Sequence, residues 1–505
     1  MKANLMYRDK DFTMDTELTP NVLSQILPNS LDLIQDLELN TLFNAMAHDD
    51  KFLLEVAKRA VLFSLTDSEE IVYRQQILVD CLEHPDVARE IYAIALEAIQ
   101  GEKSAWRFML KSPDSVLYSS IKLLEIFLPI IKKLRQVADT QANEFHSEGF
   151  TRFFQMIKQE LDDQYLNTIQ EHLTQLQFPN GALISAQLGK GNTGYNYTLR
   201  KPFEKKRSLT QRLLGRDKPL YFEIADRDES GIRAIAELRE RGINEVANAV
   251  SQSADHILDF FIMLRNEMGF YITCLNLHEQ LVRKGEPTCI PEALAIDKPA
   301  LSAKGLYDIC LSLRLEGRVV GNELAADNKE LVLVTGANQG GKSTFLRSVG
   351  LAYLMMQCGM FVAAEHFSAN VSTGIFTHFK REEDVTMKSG KLDEELSRMS
   401  KIADNIKSNC VLLCNESFAS TNEREGSEIA RQIVCAMLDS GIKVLFVTHM
   451  FDFAEGFYLR NLDIALFLRA ERKPDGQRTF KMAEGEPLPT SYGEDLYKQI
   501  FAKSK

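Results

Sequence analysis

Leu331–Thr344 reads LVLVTGANQGGKST: an apolar run that breaks into a glycine-rich loop and closes on Gly-Lys-Ser. Gly336, four further residues, then Gly341, Lys342 and Ser343 fit the P-loop spacing. In that pattern backbone N–H groups cradle phosphate, the lysine reaches the outer phosphates and the hydroxyl ligates Mg²⁺. The cradle expected here is Gly336, Ala337, Asn338, Gln339, Gly340 and Gly341, with Lys342, Ser343 and Thr344 opening the following helix. The alternative, a glycine turn that only caps a helix, fits poorly with a β-rich run before it and an apolar helical stretch after it. The ligand this predicts is a nucleoside triphosphate, ATP, with Mg²⁺.

Two later apolar runs extend the pattern. Cys410-Val-Leu-Leu-Cys414 closes on Asn415-Glu416, as a buried parallel strand does when it delivers polar groups to its carboxyl end. A glutamate there can polarise the attacking water, which makes Glu416 the candidate base. Lys443–Val447 ends in Thr448-His449 and places a histidine at an equivalent edge. Taken alone such a histidine is more often structural; after a P-loop and a strand-end glutamate the balance reverses, and it is a candidate to hold the γ-phosphate or the water.

Upstream the texture differs. Residues 30–175 repeat apolar side chains at three and four, as in Ile121, Leu124, Leu128 and Ile131, and read as helical. Asp49-Asp50 and Thr66-Asp67 are expected helix caps. Between 176 and 225, Pro179, Gly181, Gly189, Gly191, Gly194 and Pro202 punctuate β-prone runs at 182–186 and 195–199. The helical period returns over 231–284, where Ile257, Phe260, Leu264, Met268, Tyr271, Leu275 and Val282 trace one face of a helix expected to exceed about 30 residues. Gly285, Pro287 and Pro291 then break the chain, so the expected division is 1–290, with a β-rich insertion at about 176–225, and 291–505.

The chain has 505 residues and a net charge of −12, which does not advertise a polyanion partner for the molecule as a whole. Its eight cysteines show neither a C-x-x-C pair nor zinc spacing and read as reduced buried thiols. Met1–Pro20 has no signal-like apolar core and no uncharged stretch reaches spanning length, so the expectation is a cytoplasmic protein with no membrane role.

The order of loop, strand-Glu and strand-His is that of the ABC-type ATPases, yet no LSGGQ-like signature occurs. The residues resemble the MutS family of DNA mismatch-repair ATPases. Thr335–Thr344 looks like that family's TGPNMGGKST, Asn415-Glu416 through Thr421 to Glu425-Gly426 resembles its DE…T…DG stretch, Phe446–His449 its FATH, and Ser491-Tyr492-Gly493 its SYG. Fainter likeness runs through Leu37–Lys58 and Tyr73-Arg74-Gln75, and through Ser253–Leu281, which looks like the family's lever helix. The resemblance implies an α + α/β architecture: a long-helix core and lever followed by an ABC-type P-loop ATPase domain. It implies an ATPase acting as a homodimer on double-stranded or branched DNA, with a downstream protein partner that it does not identify.

Departures from the family pattern matter as well. Asn415 stands where the family has aspartate; with Ser343 it would hold Mg²⁺ through a neutral oxygen, in keeping with slow hydrolysis. Ala337 replaces the loop proline. Ser389–Glu395 occupies the place of the helix start that reaches the partner subunit's nucleotide, with different residues. No Phe-x-Glu precedes the ATPase-like stretch, so the chain resembles a short member without the N-terminal mismatch-recognition domain. The DNA-binding candidates are Arg200, Lys201, Lys205, Lys206, Arg207 and Arg212, in a basic cluster that continues to Arg216 and Lys218 and otherwise reads as a solvated loop. Two rival readings follow from the same residues. One is an ATP-driven structural protein that holds a protein partner in its helical arms; the other, resting on Asn415, is a nucleotide-binding module with negligible turnover.

Overall fold

The computed structural model describes every residue except 15, 105–111, 180, 202–221, 382–389, 474–476 and 490–505. Ser389, Ser491–Gly493 and the cluster residues Lys205, Lys206, Arg207, Arg212, Arg216 and Lys218 lie outside the described residues. The described residues combine helical and sheet regions, as an α + α/β chain should.

Packing divides the chain into two units. The first comprises residues 1–3, 89–145 and 151–265. Its helices include Pro113–Gln141 and Asp163–Leu176, and its hairpin pairs β1 (Leu183–Leu188) with β2 (Gly194–Arg200) in antiparallel register, where the two β-prone runs were expected. The core gathers Ile121, Leu124, Phe127, Leu134 and Phe261, with the rings of Phe127 and Phe261 at 6.0 Å. The helix expected to exceed about 30 residues runs to 55, Glu229–Arg283, and the division falls within it. Its bounds lie within two residues of the 231–284 stretch expected to be helical, and in its N-terminal half Ile232, Ile235 and Leu238 are exposed.

The second unit comprises residues 4–88, 146–150 and 266–505. Its strands are β3 (Glu292–Leu294), β4 (Leu301–Leu306), β5 (Asn322–Ala325), β6 (Leu331–Gly336), β7 (His366–Asn370), β8 (Ile375–Phe379), β9 (Val411–Asn415), β10 (Lys443–Val447), β11 (Ala465–Arg472) and β12 (Arg478–Glu484). They form a four-stranded sheet, β3-β7-β4-β5, and a six-stranded sheet, β12-β11-β6-β10-β9-β8. From β11 to β8 the larger sheet is parallel, and β12 adds an antiparallel edge. Central strands buried on both faces are apolar throughout, which is why 331–334 and 444–447 read as unbroken hydrophobic runs.

Residues 4–88 are welded to this sheet by polar bonds inside an apolar core. The Arg74 guanidinium, 1% exposed, donates to the carbonyls of Met6 and Cys358, and Gln357 Nε2 donates to the carbonyls of Leu65 and Ser372 at 3.0 Å each. Glu267, on the long helix, accepts the N–H groups of Leu5 and Met6, and burial pushes its carboxyl up to about 7. The expected caps form: Asp50 Oδ1 accepts from Phe52 and Leu53 N–H, and Asp67 Oδ1 from Glu69 N–H. All eight cysteines are free thiols, six of them buried. Among the described residues no helix is long and apolar enough to cross a membrane.

Candidate functional site

The chain leaves β6 at Gly336, where φ is +105° and an added Cβ would stand 3.0 Å from the Ala470 nitrogen on β11. Only glycine suits both demands. Gly341, at φ +88°, then turns the loop into the helix Lys342–Gln357, whose first turn no side chain caps. Uncapped N–H groups at the start of a sixteen-residue helix are a ready anion site.

Register brings the other candidates to the same place. On β9 and β10 Asn415 pairs with Val447, so Glu416 and Thr448-His449 leave the sheet side by side. Glu416 N–H donates to the Val447 carbonyl at 2.8 Å, and Thr448 N–H to the Val334 carbonyl of β6 at 3.0 Å. Glu416 and His449 are 31% and 39% exposed, with a carboxylate oxygen 4.0 Å from His449 Nδ1. Residues 338–344, Glu416 and His449 line one open cavity of about 390 Å³.

Two contacts tie the loop to this edge. Lys342, 5% exposed, donates from Nζ to the carbonyls of Gly336 at 2.9 Å and Ala337 at 3.0 Å. Burial pushes its pKa down, Glu416 opposes that and Arg478 adds to it. Ser343 Oγ donates to Asn415 Oδ1 at 2.9 Å, so the two oxygens expected to share a metal are already adjacent. Among the described residues no group of three or more His, Cys, Asp or Glu side chains could hold a metal by itself. Two neutral oxygens fit a cation that takes most of its ligands from phosphate and water, as Mg²⁺ does.

Sequence reasoning missed a second cavity, of about 410 Å³, on the other side of the loop. It shares Gln339, Gly341 and Thr344 with the first and is walled by Leu306, Val319, Val320 and Phe480. Asn322 joins its walls, donating to the Phe480 carbonyl at 3.2 Å and accepting Met482 N–H at 2.8 Å. Just past the long helix, Glu286 accepts Ser312 Oγ at 3.0 Å and Val319 N–H at 2.9 Å, while Lys284 Nζ donates to the carbonyls of Ser312 and Leu315. The end of that helix therefore grips the segment that lines this second cavity. No spacing rule links residues 284, 319 and 480.

Of the basic candidates, Arg200 and Lys201 are described. Arg200 closes β2, donates to Ser185 Oγ at 2.9 Å, and with Lys201 borders a cavity walled by Leu176, Phe178 and Leu183 in the first unit. Arg239 stacks over Phe178 and Arg241 over Tyr197 in the same unit, a pair of cations the sequence reading did not single out.

Comparison with known proteins adds a second kind of observation. A family model described as the MutS2 N-terminal domain matches residues 66–284, and one described as MutS domain V matches residues 332–495. The DNA mismatch repair protein MutS of Thermotoga maritima is 34% identical over 143 residues, 28% of this chain and 18% of its own. That of Clostridium botulinum (strain Loch Maree) is 30% identical over 164 residues, 30% of this chain and 18% of its own. MutS protein homolog 4 of Mus musculus is 25% identical over 197 residues, 38% of this chain and 21% of its own. The chain thus spans about a fifth of the length of these curated relatives.

Proposed function

The chain belongs to the MutS family, and from that premise we propose an ATP-dependent DNA-binding protein that hydrolyses ATP to control a dimeric clamp on mismatched or otherwise structured DNA. The observation that carries the nucleotide half is the convergence of the uncapped loop, Lys342, Ser343, Glu416 and His449 on one cavity. Lys342 binds the β- and γ-phosphates, Ser343 and Asn415 hold Mg²⁺ directly or through water, Glu416 orients the attacking water and His449 senses the γ-phosphate. Held there, Mg²⁺ would supply charge neutralisation for the phosphates. The apolar cavity beside the loop suits the base, with Phe480 and Val319 as its walls.

Nucleotide binding reaches the DNA-binding arms through the Glu286 and Lys284 contacts, because the segment they hold lines the base cavity. Arg200, Lys201, Lys205, Lys206, Arg207 and Arg212 contact phosphates with little sequence preference. The functional division at about residue 290 separates arms from engine, two copies of the chain forming the clamp. Exposed Ile232, Ile235 and Leu238, spaced by three on one helix, favour the alternative of a protein partner in the arms.

The test is fluorescence anisotropy with homoduplex, mismatched and branched DNA, with and without ATP, at two salt concentrations. Salt-sensitive affinity that shifts at least fivefold with ATP supports the proposal, and the ATP affinity must then shift by the same factor with DNA. No binding to any of the three DNAs would remove DNA from the function in favour of a protein partner, and DNA affinity that ATP leaves unchanged would remove the coupling.

Asn415 gives a directional prediction. Asn415→Asp adds a charge to the metal shell and lowers the Mg²⁺ concentration at half-maximal ATP binding roughly three- to tenfold. With Mg²⁺ removed the same variant binds ATP more weakly than wild type, because the new carboxylate faces phosphate. A Mg²⁺ titration of fluorescent-nucleotide binding reads both signs.

A further inference from the structure

We propose that His378 and Ser417 form a buried positioning pair that fixes the turn carrying Glu416, so that ATP turnover depends on them while nucleotide binding does not. This rests on Glu416 being the water-orienting group. After β9 the chain turns through Glu416 at φ +53° and Phe418 at φ +62°. Left-handed backbone is uncommon outside glycine and persists where the surroundings over-determine it.

The surroundings here are polar and fully buried. His378 lies on β8, opposite Cys414 of β9, and both it and Ser417 are 0% exposed. Ser417 Oγ stands 2.7 Å from His378 Nδ1 and 2.7 Å from the His378 carbonyl oxygen. On the other side of the ring, Nε2 lies 3.0 Å from the Glu395 carbonyl, an acceptor, so that nitrogen carries the hydrogen, and the single Ser417 hydroxyl hydrogen is shared between Nδ1 and the His378 carbonyl oxygen. The imidazole also stacks on Phe418, with centroids 5.3 Å apart and planes at 22°. Downstream, Ser420 Oγ donates to the Glu395 carboxylate at 2.8 Å. The turn is held at Ser417, Phe418 and Ser420 by one cluster, and Glu416 is left as its solvent-facing member.

A histidine kept only for packing would have no need of these bonds, and an apolar side chain would fill the space. Burial and the neighbouring Arg398 push the His378 pKa down to about 4, so the ring is neutral at neutral pH and serves as a rigid strut with a fixed tautomer. Neither His378 nor Ser417 lines the loop cavity, which separates their effect on Glu416 from any contact with nucleotide. A misplacement of about 1 Å in a group that orients the attacking water is enough to cost on the order of 100-fold in rate.

The experiment uses the full chain, steady-state ATP hydrolysis and fluorescent-nucleotide titration. Ser417→Ala and His378→Phe each lower kcat about 10- to 100-fold with nucleotide Kd within about twofold of wild type, and the double variant resembles the worse single one, because both break one link. His378→Asn, whose amide reaches the Nδ1 position, recovers most of the rate; His378→Gln, which reaches the Nε2 position, does not. That asymmetry would not arise from a purely structural role. Should His378→Phe fail to fold, Ser417→Ala carries the test. Single variants with kcat within twofold of an active wild type would overturn the pair alone. A wild-type chain that binds ATP without hydrolysing it would overturn the role of Glu416 and the pair with it.

Discussion

Glu416→Gln is expected to lower ATP turnover about 100- to 1000-fold while leaving ATP affinity within about threefold of wild type. Glutamine keeps the shape of the side chain and an oxygen acceptor but removes the charge that draws a proton from water, and general-base catalysis contributes roughly 10²–10⁴ in rate. Affinity survives because the groups proposed to hold phosphate, the loop and Lys342, lie on β6 and the helix after it, whereas Glu416 follows β9. The αL turn tolerates the change, since Gln and Glu have the same backbone demands. Single-turnover hydrolysis with excess protein reads chemistry without product release. Turnover within threefold of wild type would transfer the water to His449, whose Nδ1 lies 4.0 Å from the Glu416 carboxylate.

Lys342→Met is expected to weaken ATP binding by at least about 100-fold while leaving the fold intact or firmer. In the wild type an ammonium group 5% exposed is held by two carbonyl oxygens, with no carboxylate ion-paired to it among the described residues. Burial lowers its pKa, so the charged form is disfavoured by folding and its cost is present at neutral pH. A phosphate in the cavity supplies a counter-charge at closer range than Glu416, whose attraction only partly offsets the burial, and charge-assisted bonds in a partly buried site are strong. Methionine keeps the stem and gives up the charge. A melting temperature equal to or above wild type, together with lost binding in isothermal titration, would mark Lys342 as a residue retained for the ligand against stability. Lost binding with a lowered melting temperature would mark it as structural.

How far the sequence discloses this site depends on whether its parts lie close along the chain. The loop was legible because glycine positions, the lysine and the hydroxyl stand at fixed spacing, and Gly336 and Gly341 take positive φ where that spacing put them, although Gln339, at φ +59°, does so without being glycine. Glu416 and His449 were legible because a strand buried on both faces announces its own end when it turns polar. Asp50 was legible as a cap because a cap acts over three residues. Glu286, Asn322, Phe480 and the His378–Ser417 pair were not legible. His378 and Ser417 meet because β8 lies beside β9 in the sheet order, and Asn322 of β5 meets Phe480 of β12 across two different sheets, while Glu286, just past the long helix, reaches Ser312 and Val319; none of this leaves a periodic trace. The change of texture at about residue 290 likewise says nothing of Arg74 reaching Cys358, a bond that ties the early helices to the sheet.

That bond and its neighbour set an order in time. A chain is made from its amino end, and Leu5 is held by Glu267, 262 residues later, while Arg74 waits for Cys358, 284 residues later. At roughly 5–20 residues per second on a ribosome, the early segment stays unsecured for about 15–60 s. Nearly all of the first unit, residues 89–145 and 151–265, emerges within that interval. It has time to fold first, while residues 4–88 stand exposed to chaperones and proteases until the helix that follows the glycine loop has been synthesised.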